Sequence, residues 1–175
     1  MIKTKVLLTS FDIWKPEHKS NSSDDLLSQI SAQKLRDSSL TFIRKLPVDS
    51  QVAPQIVISY INEIQPDIIV CCGMAEKREN LTIESQATSG ETVIPTSVNL
   101  AELVAGLEIT EISNDCGKFV CENLYFSVLK YLNDSCLKNK CIFVHVPILT
   151  EYNSAKVVRD FLNILLKISA TSKIY

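Results

Sequence analysis

The sequence has 175 residues, of which 46% are hydrophobic and 22% are charged, and its formal net charge is −2. This length and composition predict a single globular domain, residues 1–175, with a full hydrophobic core. The sequence has no run of basic residues, which excludes the usual electrostatic footprint of nucleic-acid binding. No apolar stretch reaches the roughly 18 to 20 residues that cross a bilayer, and the first residues lack a signal-peptide cleavage site. We therefore expect neither a nucleic-acid nor a membrane partner.

The first half of the chain alternates between apolar runs and segments with helical spacing. Strands are expected at residues 3–10, 40–48 and 67–73, the last with the continuous apolar pattern of a central parallel strand. Helices are expected from Ser22 or Ser23 to about Lys34 and from Gln51 to Ile64. A polar loop, residues 11–21, joins the first strand to the first helix.

The second half continues this alternation with shorter elements. Strands are expected at residues 81–87, 107–112 and 141–146. Helices are expected at residues 100–105, from Gly117 or Lys118 to about Leu132, and at residues 154–168. Residues 88–98 are expected to form a polar, weakly ordered loop. The pattern predicts an α/β fold, a three-layer α/β/α sandwich with a mostly parallel central sheet.

Six cysteines are present, and their positions favour reduced thiols. Cys71 and Cys72 are adjacent inside one apolar run, and Cys141 opens another. The sequence has neither a CxxC pair nor a Cys/His cluster with the spacing of a zinc site. These features predict a cytoplasmic protein whose cysteines are mostly small buried hydrophobic residues.

Cys121 is the first candidate for chemistry, because it lies about one residue into an amphipathic helix in the segment SNDCGKFVCENLYF. The helix dipole and the free N–H groups at this end favour a thiolate. The same N–H groups can stabilise an oxyanion. Other residues of the helix already complete its apolar stripe, so Cys121 is not needed there. The alternative is a cysteine that only packs in the core.

His145 is the second candidate, at the end of the apolar strand CIFVHVPIL, which Pro147 closes. Parallel strands carry functional groups at their carboxyl ends, and a histidine near a thiol can take and return its proton. The alternative is a hydrogen-bonded core histidine. The other histidine, His18, lies among charged residues in KPEHKSN and is expected to be solvated.

A third group is needed to orient the imidazole of His145. Glu84 is the acid embedded in a short apolar strand segment, LTIESQA, and is the preferred candidate. A solvent-facing glutamate at a strand end is the alternative interpretation. Asp115 could also orient the ring, although its place in the turn before the helix suits capping better.

Together these segments resemble the pyroglutamyl peptidase I family, also called pyrrolidone-carboxylate peptidases. The resemblance covers nearly the whole chain. It is carried by KVLLTSFDIW, RKLPVDS, INEIQPDIIV, LTIESQA, ISNDCGKFVCENLYFSVL and FVHVPILTEYNSA. The last two segments are the most specific, since Ser-Asn, Gly, Cys and the Phe-Val-His-Val-Pro run occur in the family's order and spacing.

The resemblance implies a cysteine peptidase that removes N-terminal pyroglutamyl residues without a metal or a cofactor. It implies that Cys121 is the nucleophile, that His145 is the general base and acid, and that Glu84 orients the histidine. The substrate would be a peptide or a small acyl-amide. Family positions that line the pocket for the lactam ring correspond to Phe11, Trp14, Met74, Val93, Phe119 and Val120. Oligomeric state stays open between a monomer and a homo-oligomer.

The chain also departs from the family pattern. The paired glycines after the first aromatic residues are missing, and Met74 stands where many members have a glutamine that can bind the lactam. The segment between Glu84 and Cys121 is shorter, and Val93 replaces an arginine. Two alternatives to pyroglutamyl peptidase activity therefore remain. One is hydrolysis of another small acyl-amide by the same triad, and the other is a catalytically weak binding protein with the same fold.

Overall fold

Six strands form the central sheet of the computed structural model, which describes residues 3–33 and 35–171. The sheet strands are β1 (Thr4–Phe11), β2 (Ser38–Leu46), β3 (Ile68–Met74), β4 (Leu81–Glu84), β7 (Thr110–Ser113) and β8 (Lys140–Val146). Two further strands, β5 (Gln86–Ser89) and β6 (Thr92–Pro95), pair with each other. The helices are α1 (Ser22–Ser31), α2 (Val52–Ile64), α3 (Leu100–Val104), α4 (Val120–Asp134) and α5 (Ser154–Ala170).

The strand order in the sheet is β2-β1-β3-β8-β4-β7. Strands β2, β1, β3 and β8 are parallel to one another, whereas β4 runs antiparallel to β8 and parallel to β7. This arrangement confirms the predicted mostly parallel sheet. The reversal at β4 was not predicted, because the alternation of apolar and polar residues is the same for either strand direction.

Helices cover both faces of the sheet. Successive strand residues point to opposite sides, so each face presents apolar side chains that a layer of helices buries. On one face, Leu8 and Val70 of the strands belong to the same buried cluster as residues of α1 and α5, including Phe161. On the other face, Cys71 and Phe143 belong to a cluster with residues of α2 and α4. Three layers result, as the sequence predicted. Within the described residues, no helix is long and apolar enough to span a membrane.

Element boundaries differ from the prediction in several places. The expected strand at 81–87 is divided between β4 and β5, which belong to different sheets, and α4 begins at Val120 and not at Gly117 or Lys118. Helix α1 ends at Ser31, before the expected Lys34, which itself lies outside the described residues. Strand β7 begins at Thr110, because the N–H groups of the two preceding residues, 108 and 109, donate to the buried Asp160 of α5. The expected loop at 88–98 contains the hairpin of β5 and β6, whose turn uses Gly90 at φ 58°.

Candidate active site

Cys121 is the second residue of α4, and a tight turn places it at the sheet. In this turn the N–H of Gly117 donates to the carboxylate of Asp115 over 2.9 Å, and Gly117 adopts φ 93°, which favours glycine. The sulfur of Cys121 lies against β3 at Gly73, where a Cβ atom would be only 2.6 Å from Sγ. The absence of a side chain at Gly73 therefore lets the thiol approach the strand.

His145 and Glu84 meet on the same face of the sheet because of the register between β8 and β4. Thr82 is opposite His145, and Glu84 is opposite Phe143, so the antiparallel β4 carries Glu84 inward beneath the histidine. The distance from Nδ1 of His145 to Oε1 of Glu84 is 2.8 Å. Glu84 is fully buried and His145 is 5% exposed. A buried ionised carboxylate accepts but cannot donate, so Nδ1 carries the proton.

The register between β3 and β8 brings His145 to Cys121. Gly73, which contacts the sulfur of Cys121, pairs with His145 in the parallel ladder. Both Cys121 and His145 line the same cavity. The ring of Phe143 lies 4.8 Å from that of His145, between centroids. Three residues that are far apart in sequence, Cys121, His145 and Glu84, are therefore brought together at one end of the sheet.

Arg78 is a fourth member of this cluster that the sequence analysis missed. Its Nη1 donates to Oε1 of Glu84 over 2.5 Å and also to the hydroxyl of Thr82, and its Nη2 donates to the carbonyl oxygen of Asp115 over 2.6 Å. Arg78 comes from the short polar loop between β3 and β4, where four charged residues follow one another from Glu76 to Glu79. No periodic pattern in the sequence distinguishes Arg78 from its charged neighbours.

Asp115 does not orient the imidazole. Its carboxylate accepts from the N–H of Gly117, and its carbonyl oxygen accepts from Arg78. Asp115 thus links the turn before α4 to Arg78, and Arg78 in turn binds the carboxylate of Glu84. The expected capping role is not found, because Phe119 is the N-cap of α4 and no side chain caps this helix.

The electrostatics of the cluster favour an ionised Glu84. Burial alone would raise the pKa of this carboxyl, but the hydrogen bond from His145 lowers it, and the hydroxyl of Ser113 and the guanidinium of Arg78 act in the same direction. The pKa of Glu84 is therefore below its ordinary value. The carboxylate is ionised at neutral pH and can hold Nδ1–H of His145.

The same surroundings keep Cys121 a neutral thiol, in contrast to the thiolate that its helix position predicted. Burial raises the pKa of Cys121 to about 12, and the negative charge of Glu84 adds to this effect. The residue is partly exposed to the cavity, yet its sulfur is packed among protein atoms. Desolvation of the thiolate therefore outweighs the helix N-terminus in the free protein.

A cavity of about 480 Å³ opens beside these groups. Five of the six predicted substrate-binding residues line it, namely Phe11, Trp14, Met74, Phe119 and Val120. The ring centroids of Trp14 and Phe119 are 6.2 Å apart, and Phe119 is 74% exposed. The cavity is thus largely apolar and has an accessible aromatic side chain beside the helix that carries Cys121.

Val93, the sixth predicted residue, does not line this cavity. It lies on β6 and is 50% exposed. The hairpin of β5 and β6 is held against α4 by the carboxylate of Glu122, which accepts from the N–H and the hydroxyl of Thr88, each over 2.6 Å. This contact ties the hairpin to α4, and the side chain of Val93 stays outside the cavity.

His18 is not solvated as expected, because its side chain is only 15% exposed. Its Nε2 lies 3.1 Å from Oε1 of Glu76, and the same oxygen accepts from Nζ of Lys15 over 2.8 Å. The ring of His18 packs edge-on against Trp14, with 5.7 Å between centroids. These contacts fix the loop that carries Trp14 to the cavity wall.

The described residues contain no group of three or more His, Cys, Asp or Glu side chains that could hold a metal ion. All six cysteines lie within the described part of the chain and are free thiols.

Comparisons with known proteins give a consistent result. A family model described as pyroglutamyl peptidase matches residues 4–93, just over half of the chain. A pyrrolidone-carboxylate peptidase from Vibrio campbellii is 25% identical in an alignment that covers 86% of this chain and 82% of the relative. One from a Thermoanaerobacter species is 26% identical, with 83% of each chain covered.

Two solved structures have the same fold. A mutant pyrrolidone carboxyl peptidase from Pyrococcus furiosus matches with a TM-score of 0.84 at 18% identity, covering 98% of this chain and all of its own. Pyroglutamyl peptidase I from Bacillus amyloliquefaciens matches with a TM-score of 0.81 at 20% identity, covering 99% and 97%.

Proposed function

The chain belongs to the pyroglutamyl peptidase family, a family of cysteine-type peptidases, and we propose that it removes N-terminal pyroglutamyl residues from peptides. One observation carries this proposal. The sulfur of Cys121, the imidazole of His145 and the carboxylate of Glu84 lie together beside an apolar cavity. This arrangement has the nucleophile, the base and the orienting group that acyl transfer through a thioester requires.

The first chemical step transfers the proton of the Cys121 thiol to Nε2 of His145. Glu84 accepts from Nδ1–H and so leaves Nε2 as the basic nitrogen. Because the free thiol has a raised pKa, the thiolate forms only as the sulfur attacks the substrate carbonyl carbon. Free N–H groups in the first turn of α4 stabilise the developing oxyanion.

The intermediate then collapses to a thioester. The C–N bond of the scissile amide breaks, and the departing amine takes the proton from His145. Water attacks the thioester carbon next, giving a proton to Nε2 of His145, which returns it to the sulfur of Cys121. The products are free pyroglutamic acid and a peptide shortened by one residue.

The pyroglutamyl ring binds in the apolar cavity, because a neutral five-membered lactam carries no charge to be paired. Phe11, Val120 and the aromatic pair of Trp14 and Phe119 supply its contacts. We further propose that residues 1–175 act as one catalytic domain in the cytoplasm.

The experiment that tests this proposal is hydrolysis of a pyroglutamyl aminomethylcoumarin amide. The wild-type protein should release the coumarin, and Cys121→Ala should lose at least about a thousandfold in kcat/KM while remaining folded. Cys136→Ala is the matched control, since Cys136 is an exposed thiol that does not line the cavity. An inactive wild-type protein would instead support the binding-protein alternative, and an active Cys121→Ala variant would refute the assigned nucleophile.

A further inference from the structure

A loop of residues 12–20, the rim loop, carries Trp14 to the edge of the cavity and is mostly exposed. Its residues, all within the described part of the chain, form neither helix nor strand, and only Lys15 and His18 among them are partly buried. Trp14 itself is half-exposed and meets the exposed ring of Phe119. The position of the rim loop therefore depends on a small number of side-chain contacts.

The polar contacts of the rim loop converge on one side chain, that of Glu76. Nζ of Lys15 donates to both carboxylate oxygens of Glu76, over 2.8 and 3.1 Å, and Nε2 of His18 lies 3.1 Å from Oε1. An ionised carboxylate only accepts, so Nε2 of His18 carries a proton. Within the described residues, every hydrogen bond or ion pair that joins residues 13–19 to the chain outside the rim loop ends on Glu76.

Both partners of Glu76 also contact the indole of Trp14. The ammonium group of Lys15 lies 4.3 Å from the centroid of the indole ring, so it contacts the carboxylate and the aromatic face together. The ring of His18 packs edge-on against the same indole. Trp14 is thus held by two side chains that Glu76 binds.

Glu76 is itself attached to the central sheet. It lies in the loop after β3, where the N–H of Ala75 donates to the carbonyl oxygen of Val146 over 2.9 Å. The N–H of Arg78 donates to the carbonyl oxygen of Ala75 over 3.1 Å and closes a turn around Glu76. The hydrogen bond from Lys15 lowers the pKa of Glu76, so the carboxylate is ionised at neutral pH. Glu76 therefore joins the rim loop to the end of the sheet that carries the triad.

We infer that Glu76 is a positioning residue for substrate binding, which holds Trp14 at the cavity through Lys15 and His18. This inference rests on the proposed function, in which Trp14 contacts the pyroglutamyl ring. The described hydrogen bonds of the Glu76 side chain go to the rim loop alone, whereas Arg78 holds the triad. Loss of Glu76 should therefore weaken the binding of substrate and transition state alike, which raises KM and leaves kcat unchanged.

The expected size of this effect follows from the two ion pairs. Between 15% and 33% of the side chains of Lys15, His18 and Glu76 is exposed. An ion pair near the surface shifts an equilibrium by up to about fivefold. Loss of both contacts should therefore lower the fraction of molecules that have Trp14 in place by about tenfold, and the apparent affinity falls by the same factor.

Glu76→Ala tests the inference with a structural and a kinetic measurement, because Trp14 is the only tryptophan in the sequence. Acrylamide should quench the fluorescence of Trp14 more strongly in this variant than in the wild-type protein, since the indole becomes more accessible. KM for the pyroglutamyl coumarin amide should rise by about tenfold, while kcat stays within about twofold of wild type.

Glu17→Ala is the matched control. Glu17 is an exposed acid of the same loop that forms no ion pair with a described residue. The control variant should change neither the quenching nor KM. An equal rise in KM in Glu17→Ala and Glu76→Ala would assign the effect to net charge and would overturn the inference.

A double variant of Lys15→Ala and Glu76→Ala tests the route by which Glu76 acts. KM should rise by less than the product of the two single effects, because both substitutions remove the same contact. Fully multiplicative effects, an unchanged KM in Glu76→Ala or unchanged quenching in that variant would each overturn the inference and leave the proposed function intact. A wild-type protein that does not hydrolyse the amide refutes the proposed function, and the role of Glu76 in substrate binding is refuted with it.

Discussion

Gly73→Ala is the substitution that tests the position of the nucleophile most specifically. The new Cβ atom would lie 2.6 Å from Sγ of Cys121 and 2.9 Å from Cζ of Phe143. Nonbonded heavy atoms are most stable about 3.5 to 4.0 Å apart. The sulfur must therefore retreat by about 1 Å, because the ring of Phe143 is fixed in the core.

A displacement of about 1 Å at a reacting atom can reduce catalysis by about a hundredfold. We expect this loss in kcat/KM for the pyroglutamyl coumarin amide. Overpacking should also lower the free energy of unfolding by about 1 to 3 kcal/mol, which urea unfolding measures. The loss of activity can be separated from the loss of stability, because a variant that remains folded at 25 °C can still be assayed for kcat/KM.

Gly90→Ala is the matched control. A Cβ atom on Gly90 meets no atom of the described residues within 4 Å, and the residue lies in the turn of the β5–β6 hairpin at φ 58°. This variant should lose about 1 to 2 kcal/mol of stability from backbone strain and retain wild-type kcat/KM. Activity within about threefold of wild type for a folded Gly73→Ala protein would refute the placement of the sulfur at β3.

Three further predictions concern the network around the triad and the cavity wall. Arg78→Lys should lower kcat about tenfold with little change in KM. The reason is that one ammonium group cannot replace the planar guanidinium that bonds both Glu84 and the turn before α4. An unchanged kcat would contradict this. The folded pKa of Glu84 lies below the ordinary 4.5, so its contribution to stability is present above that pH and is lost as the pH falls through the folded value. Glu84→Gln should therefore unfold with a weaker pH dependence at acidic pH, measured in urea, and an identical slope would argue against an ionised carboxylate. Phe119→Ala should raise KM by about tenfold, whereas Val93→Ala should change KM by less than about twofold. A larger change in KM for Val93→Ala than for Phe119→Ala would place the β5–β6 hairpin, and not the aromatic rim, at the substrate.

Cys121 and His145 could be chosen as candidates from the sequence because their signals are local. Cys121 follows a turn at a helix start, and His145 ends an apolar strand before a proline. A residue at the end of a parallel strand, such as His145, lies at the carboxyl edge of the sheet. The rule does not place Cys121, because β7, the strand before α4, runs antiparallel to β8. The three-layer arrangement was predictable for a similar reason, since the apolar periodicities of strands and helices show which faces are buried.

The remaining features depend on contacts that no local pattern encodes. The antiparallel direction of β4 sets the depth of Glu84, and strand direction leaves no trace in residue alternation. Arg78 and His18 are polar residues in polar loops, and only the packed structure shows that each is bound to a carboxylate. The neutral state of Cys121 likewise follows from burial, which overrides the helix-end position visible in the sequence.

We propose that Cys121 becomes covalently acylated during turnover. The most direct measurement is an acid quench of the enzyme with excess pyroglutamyl coumarin amide, followed by peptide mapping by mass spectrometry. We expect a pyroglutamyl thioester on the peptide that carries Cys121, and none in the Cys121→Ala variant. An acyl group on a different residue, such as the neighbouring buried thiol of Cys116, or turnover by Cys121→Ala at the wild-type rate, would contradict it.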